Sequence, residues 1–285
     1  MFVLHDSQKL QILYKYLEKS IAEYTKAYGT IFNIKNKNPF KMEVMVDAWT
    51  DYQIIITWPQ NQVGAIVIEY RAPDNLEEVM YKAVLVFLLS PGCQEGLDEA
   101  IRKVATSKSV QVDYMKTIPK TMLFIPELPK KHETSSNDKM ELFKVGDDNK
   151  EGNFSNMCLG ASHAGLVNEH WAFGKNERSL KYIERCLQDF LGFGVLGPEG
   201  QLVSWLVMRQ SCELRMGYTV PKYRHQGNMS QIGYHLEKYL SQKEIPFYAH
   251  VADNNEKSLQ ALKNVGFKVC PCGWHQWKCT PKKYC

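Results

Sequence analysis

Between Glu213 and Ser241 the chain changes its hydrophobic period once, and the change is sharply punctuated. Glu213 to Val220 alternates as a strand does and Pro221 stops it. Lys222-Tyr223-Arg224-His225-Gln226 then forms a short basic loop. Gly227 opens a stretch in which Met229, Ile232, Leu236 and Tyr239 recur at helical spacing. A strand that hands over to a helix through so short a loop confines this half to a mixed, layered α/β arrangement, with a ligand site where strand gives way to helix. Free amides at the helix start, together with Arg224, make an anion site suited to a pyrophosphate. Gly227 would let the backbone approach such a group with no side chain in the way. On spacing alone a plain strand–turn–helix accounts for the segment equally well, because one Arg-x-x-Gly is weakly informative.

The pattern around it extends the same order. Helices are expected at Ser162–Trp171 and Asn176–Phe190, and strands at Phe193–Leu196, Leu202–Met208 and Glu213–Val220. Gly197-Pro198-Glu199-Gly200 turns the chain between the first two strands. A helix from Asn228 to Ser241, a strand at Pro246–Val251 and a helix Glu256–Val265 closed by Gly266 follow, with two short strands at the end. In the first half a helix over 7–28 carries Leu10, Leu13, Leu17 and Ile21, with Ser7 placed to cap it and Gly29 to close it. Extended segments are expected at Ile31–Ile34, Glu43–Ala48 and Gln53–Trp58, then helices after Asp74 and at Gln94–Thr106, then strands at Val110–Tyr114 and Met122–Ile125. Pro129 to Asn153 holds few sizeable apolar residues, too few to offset the entropy of ordering, with one short strand conceivable at Met140–Val145. With 285 residues and roughly 100–200 per domain, two domains are expected: 1–128 and 156–285, joined by a polar linker at 129–155.

Composition excludes more than it identifies. A net charge of +4, with both signs interspersed, gives no field for nucleic acid or an acidic membrane surface. The longest apolar run, Ala83 to Leu89, is far too short to span a bilayer. The N-terminus turns polar at once, and no Arg precedes Arg71, so neither a secretory signal nor a matrix presequence is expected. The eight cysteines read as reduced thiols: Cys270-Pro271-Cys272 has a one-residue gap rather than a zinc knuckle, so no metal is expected. His163, His170, His250 and His275 carry no local catalytic signature and read as structural. His225 differs in sitting within the basic loop.

A second segment adds to the first. Asn255-x-x-Ser258-x-x-x-Leu262-x-x-x-Gly266-Phe267 sets Ser258 and Leu262 on successive turns of one helix. Together the two segments resemble the acetyl-CoA-binding core of the GNAT acyltransferase superfamily. Asn176-Glu177-Arg178-Ser179, Leu196-Gly197-Pro198-Glu199-Gly200 and Trp274-His275-Gln276-Trp277 narrow the resemblance to glycine N-acyltransferases, as do Tyr28-Gly29 and Asn38-Pro39-Phe40 in the first half. Two places depart from that pattern. Val63 to about Gly92 lacks the family's tracts, and Leu262 stands where many superfamily members carry a tyrosine that protonates the leaving thiolate.

The resemblance implies a GNAT fold in the C-terminal half, packed against a degenerate related N-terminal domain. It also implies a reaction: fatty acyl-CoA, of medium to long chain, plus glycine gives N-acylglycine and CoA, with acyl-CoA as a co-substrate rather than a resident cofactor. Glu213 matches the family's general base, and strand alternation places Arg215, Gly217 and Thr219 on its side. Backbone amides around Met216, Gly217 and Tyr218 would meet the developing oxyanion and the pantetheine. Val220, Arg224, His225, Gln226, Gly227, Asn228 and Met229, with Asn255 and Ser258, would hold the rest of CoA. Asn176, Arg178 and Arg215 are candidates for glycine's carboxylate, although a solvated helix start explains the first two as well. Relatives imply either a cytosol-facing place at the endoplasmic reticulum or a mitochondrial one. Two other functions stay open: transfer to another amine (glutamine, a polyamine or a protein lysine), and a CoA-binding module without catalysis.

Overall fold

A computed structural model describes residues 2–60, 66–70, 91–94, 98–107, 110–118, 120–124, 154–252, 254–270 and 274–281. The chain divides into two compact units that are not consecutive stretches. Met1–Leu123, His250–Asn255 and Val269–Cys285 form the first, and Phe124–Ala249 with Glu256–Lys268 the second. No described helix is long and apolar enough to cross a membrane.

The first unit opens with β1 (Phe2–Val3), α1 (Ser7–Leu17) and α2 (Thr25–Asn36), then β2 (Met42–Val46), β3 (Ile54–Pro59), β4 (Ile66–Tyr70) and β5 (Pro91–Gln94). α3 (Asp98–Ser107), β6 (Val110–Ile118) and β7 (Lys120–Phe124) follow. Its sheet runs β1-β2-β3-β4-β5-β14-β6, so the late strand β14 (Trp274–Pro281) inserts between two early ones. Only β4 and β5 in that order run parallel.

Here the structure corrects the sequence at four points. The expected helix over 7–28 ends at Leu17, a 3-10 turn covers Glu18–Ser20, and the expected strand Ile31–Ile34 is helical. Tyr24, Ala27, Tyr28 and Ile31 are all buried. Thr25, Lys26, Gly29 and Thr30 are buried with them, so the first two turns of α2 are enclosed on every side, and Tyr14 stacks on Tyr28 at 4.4 Å to join the two helices. Gly29 is buried within α2 rather than closing a helix. The cap of α1 is Asp6, whose carboxylate accepts from the Lys9 amide at 2.8 Å, rather than Ser7. The helix expected after Asp74, the atypical tract up to Ser90 apart from Ile66–Tyr70, and the strand at Met140–Val145 lie outside the described residues.

The second unit follows the expected order. It contains β8 (Ser155–Cys158), α4 (Ala164–His170), α5 (Glu177–Asp189), β9 (Gly192–Leu196), β10 (Leu202–Met208) and β11 (Glu213–Thr219). α6 (Asn228–Gln242), β12 (Phe247–Val251), α7 (Glu256–Asn264) and β13 (Lys268–Val269) complete the count, the last two residues of β12 and Val269 falling in the first unit. β8 is a strand that the sequence concealed, because Ser-Asn-Met-Cys has no alternation; it pairs antiparallel with β9. β9, β10 and β11 form an antiparallel run, and β12 joins β11 in parallel. Phe193, on one face, meets Tyr239 of α6 at 6.2 Å. Trp205, on the other, lies under His170 of α4. α5 comes close to that second face at Gly192, where an added Cβ would lie 2.5 Å from Leu187 Cδ2.

Candidate active site

β11 carries the irregularity on which the site depends. Val207 faces Arg215 and Trp205 faces Tyr218, so one β10 residue, Leu206, stands against two on β11, Met216 and Gly217. This is a β-bulge, and Met216 adopts φ 58° to make it. The extra residue reverses the alternation beyond it. Glu213, Arg215 and Tyr218 therefore share a face, while Thr219 turns to the opposite one, where its hydroxyl meets that of Ser204 at 2.8 Å. The expectation that Gly217 and Thr219 lie on Glu213's side is thereby corrected, since a Cβ on Gly217 would also point to the opposite face, towards Leu206 and Met229 of α6. Pairing of β11 with β12 covers only Glu213 and Leu214. From Arg215 onward that edge has no strand partner among the described residues, so its amides and carbonyls are open to an extended ligand.

The same strand delivers the chain into the loop. Pro221–Tyr223 forms one 3-10 turn, His225 adopts φ 62°, and Gly227 sits at φ 78° as the N-cap of α6. Two left-handed residues so close together turn successive amides towards one side, and α6 adds its unpaired first-turn amides. Buried Asn228 fastens the loop by donating to the Tyr223 carbonyl at 3.0 Å. Arg224 donates from Nε to the Thr219 carbonyl at 3.0 Å, and its guanidinium lies 5.5 Å from the centre of the Tyr218 ring. Val220 precedes the 3-10 turn, Met229 lies in the first turn of α6, and between them Gln226 donates to the Lys222 carbonyl at 3.3 Å. Ser258 is half-buried on α7, one turn before Leu262. Asn255 belongs to the other unit.

Glu213 is fully buried. Its two carboxylate oxygens accept from Arg209 and Arg215, each at 3.3 Å, and the two arginine side chains are 20% and 25% exposed. A carboxylate removed from water between two guanidinium groups is compensated twice over. Burial by itself would depress the Arg209 pKa, but attraction to Tyr182, Glu213, Tyr248 and Cys186 holds it above the ordinary value. Burial likewise raises the Tyr182 phenol, which donates to Gln210 at 2.7 Å, and pushes the Cys186 thiol up to about 12. Arg215 also faces the exposed ring of Phe173, 6.0 Å from its centre.

On the same face of the sheet opens a cleft of about 700 Å³, lined by Gly165, Asn168, Glu169, His170, Lys175 and Asn176 with part of the first turn of α5. Asn168 builds its wall: its side-chain oxygen accepts from the Lys175 amide at 3.0 Å and from the Ser179 hydroxyl at 2.6 Å. Asn176 is already committed, since its side-chain oxygen caps α5 through the Ser179 amide at 2.9 Å and its nitrogen donates to the Gly174 carbonyl. Arg178 is exposed on α5 and does not line the cleft. Sequence reasoning passed over Arg209 and Trp205 and read His170 as structural. The first two had no motif around them, and the ring contacts of His170 join residues far apart in the chain.

The mixed sheet, whose central strand bulges and then parts from its parallel neighbour to feed a glycine-capped helix, shares its fold with a GCN5-related N-acetyltransferase. Solved structures agree. An X-ray structure of a Drosophila protein has a TM-score of 0.73 at 15% identity, covering 99% of this chain and 98% of that one. A GCN5-related N-acetyltransferase from Kribbella flavida has 0.51 at 9%, covering 90% and 95%. The model of the aralkyl acyl-CoA:amino acid N-acyltransferase family matches residues 1–191, and that of its C-terminal region residues 193–281. The human glycine N-acyltransferase-like protein 2 is 79% identical across the whole of both chains, and rat glycine N-acyltransferase is 33% identical over 98% of each. The chain belongs to the aralkyl acyl-CoA:amino acid N-acyltransferases, a family that takes acyl-CoA as co-substrate. Among the described residues no group of three His, Cys, Asp or Glu side chains is arranged to hold a metal ion.

Proposed function

We propose that this protein transfers a fatty acyl group, of medium to long chain, from acyl-CoA to the amine of glycine, releasing CoA, with Glu213 as the general base. The observation that carries the reading is the unpaired edge of β11 running directly into the amide-rich loop and the start of α6. Pantetheine would lie along that edge as an added strand, and its diphosphate would meet the amides from His225 to Met229 and the Arg224 guanidinium. The bulge amides at Met216–Tyr218 would then stand beside the thioester carbonyl, where negative charge develops during attack.

Glycine's amine is protonated at neutral pH and must lose a proton before it can attack. Glu213 lies on the same face as Arg215 and Tyr218, and its two guanidinium partners hold the carboxylate in place. Because the carboxylate is buried, it would act through one water. Lys175, exposed at the cleft, is the cation available to glycine's carboxylate, together with Arg215. The names of the human and rat relatives support glycine as acceptor. Exposed Glu169 at the cleft suits a cationic acceptor better, and spermidine is the competing amine to assay.

The experiment is a thiol-release assay with a series of acyl-CoA donors and with glycine, glutamine and spermidine as acceptors. Glycine-dependent CoA release is expected, greatest with fatty donors. Glu213→Gln should lower turnover about 10²–10⁴-fold while leaving acyl-CoA affinity near its original value. Unchanged turnover in that variant at pH 7 removes Glu213 from the role, and release only with another amine replaces glycine as acceptor.

A further inference from the structure

Amide formation from glycine's ammonium form has a proton balance that one base does not close. The nitrogen begins with three hydrogens and ends with one, so two protons leave it, while the departing sulfur needs one. Glu213 accounts for the first.

His170 stands where a second carrier is needed. It is the last residue of α4, and its ring stacks on Trp205 at 5.5 Å and 14° and meets Tyr218 at 4.5 Å. Tyr218 directly follows the bulged pair Met216–Gly217, so the imidazole lies against the segment where the thioester carbonyl would sit. Its edge lines the cleft proposed for the acceptor. Its ring nitrogens have no hydrogen-bond partner among the described residues. The other charged side chains at the cleft are Glu169, Lys175 and Glu177, and Glu177 is paired with Lys181 at 2.7 Å. Trp205 is fully buried and its Nε1 is also unpartnered, so the indole supports the imidazole as a packing surface rather than through a hydrogen bond.

We propose that His170 is the second proton carrier of the reaction, taking a proton from the acceptor nitrogen and giving it to the CoA sulfur. The proposal rests on the acyl-transfer reading and adds a residue to it. Glu213 first receives one proton from the ammonium group and later releases it to solvent. The free amine attacks the thioester carbon, forming the C–N bond and an oxyanion. His170 then accepts the second proton from the adduct nitrogen. The C–S bond breaks, sulfur leaves with the electron pair, and the imidazolium passes its proton to that sulfur. Imidazole is regenerated, and the sums balance as N-acylglycine, CoA thiol and one proton.

The test uses the full chain and two substitutions. His170→Phe keeps a flat ring on Trp205 and Tyr218, and His170→Ala leaves room for added imidazole. Acyl-CoA affinity by calorimetry, retained in both, establishes that the site is intact. His170→Phe is expected to lower kcat with glycine about 10²-fold. Imidazole in solution should restore turnover to His170→Ala in proportion to its concentration and give nothing to Glu213→Gln. Wild-type kcat in His170→Phe overturns the proposal while leaving acyl transfer intact. A loss that imidazole does not restore gives the ring a merely structural part and overturns it as well. Absence of glycine-dependent CoA release from the unsubstituted protein overturns the acyl-transfer reading beneath both.

Discussion

Gly227 and Gly200 adopt nearly the same backbone, φ 78° and φ 77°, yet only one of them serves the site. Gly200 closes a tight turn by donating to the Gly197 carbonyl at 2.9 Å, and nothing lies within 4 Å of a Cβ added there. Alanine at either position meets the same penalty of about 1–2 kcal/mol for an L-residue in the left-handed region. In Gly200→Ala the whole of it should appear as lost stability in urea unfolding, with CoA affinity unchanged. In Gly227→Ala the chain has two ways to meet it. It can keep φ positive and lose about 1–2 kcal/mol of stability, or relax to negative φ and turn the 226–229 amides from their common side. A relaxed loop must be bent back on binding, so the Kd for CoA rises by up to the same energy, about tenfold for 1.4 kcal/mol. The stability loss and the binding loss in Gly227→Ala should therefore sum to roughly the stability loss in Gly200→Ala. Calorimetric titration with CoA and urea unfolding of both variants measure the two parts. Unchanged stability together with unchanged affinity in Gly227→Ala would refute the backbone argument. Equal loss of CoA affinity in both variants would refute the diphosphate cradle.

Asn176→Ala should destabilise the protein by about 1 kcal/mol, because its side-chain oxygen caps α5, while changing the KM for glycine little; a KM rise larger than the stability loss would return Asn176 to the acceptor site. Cys186, pushed up to about 12 from an ordinary 9.0, keeps its proton in the fold at a pH where the unfolded chain gives it up. Its contribution is complete below pH 9 and is lost as pH rises towards 12, about 1.4 kcal/mol of it by pH 10. Cys186→Ala should be less stable than the unsubstituted protein at pH 7, and the gap should narrow between pH 8 and pH 10. A constant gap in urea unfolding contradicts the assignment.

The second unit was more legible in the sequence than the first. α6 announced itself through Gly227 and a clean apolar stripe, and α5 through Asn176 and the stripe of Leu180, Ile183 and Leu187. Local signals sufficed there because each helix begins at a residue chemically fitted to its cap. α2 misled because Ile31-Phe32-Asn33-Ile34 reads as a strand by composition; packing against Tyr14 of α1 holds it helical. β8 is too short to show a period, and it is a strand because β9 offers it an edge.

Residue order alone dictates that a strand ends in a glycine-opened loop before a helix, and that a carboxylate stands at the start of that strand. Those facts follow from period, capping and backbone freedom, which act over a few residues. Which side chains share the face with Glu213 depends on the packed fold. One extra residue in β11, set against Leu206 of β10, turns Tyr218 towards Arg215 and sends Thr219 away. Only the packing of α4 over that face brings His170 onto Tyr218, and only the hairpin from β10 encloses Glu213 between two arginines. A bulge is a property of two strands in register, and enclosure is a property of chain segments meeting in space, so neither can be read from one strand alone.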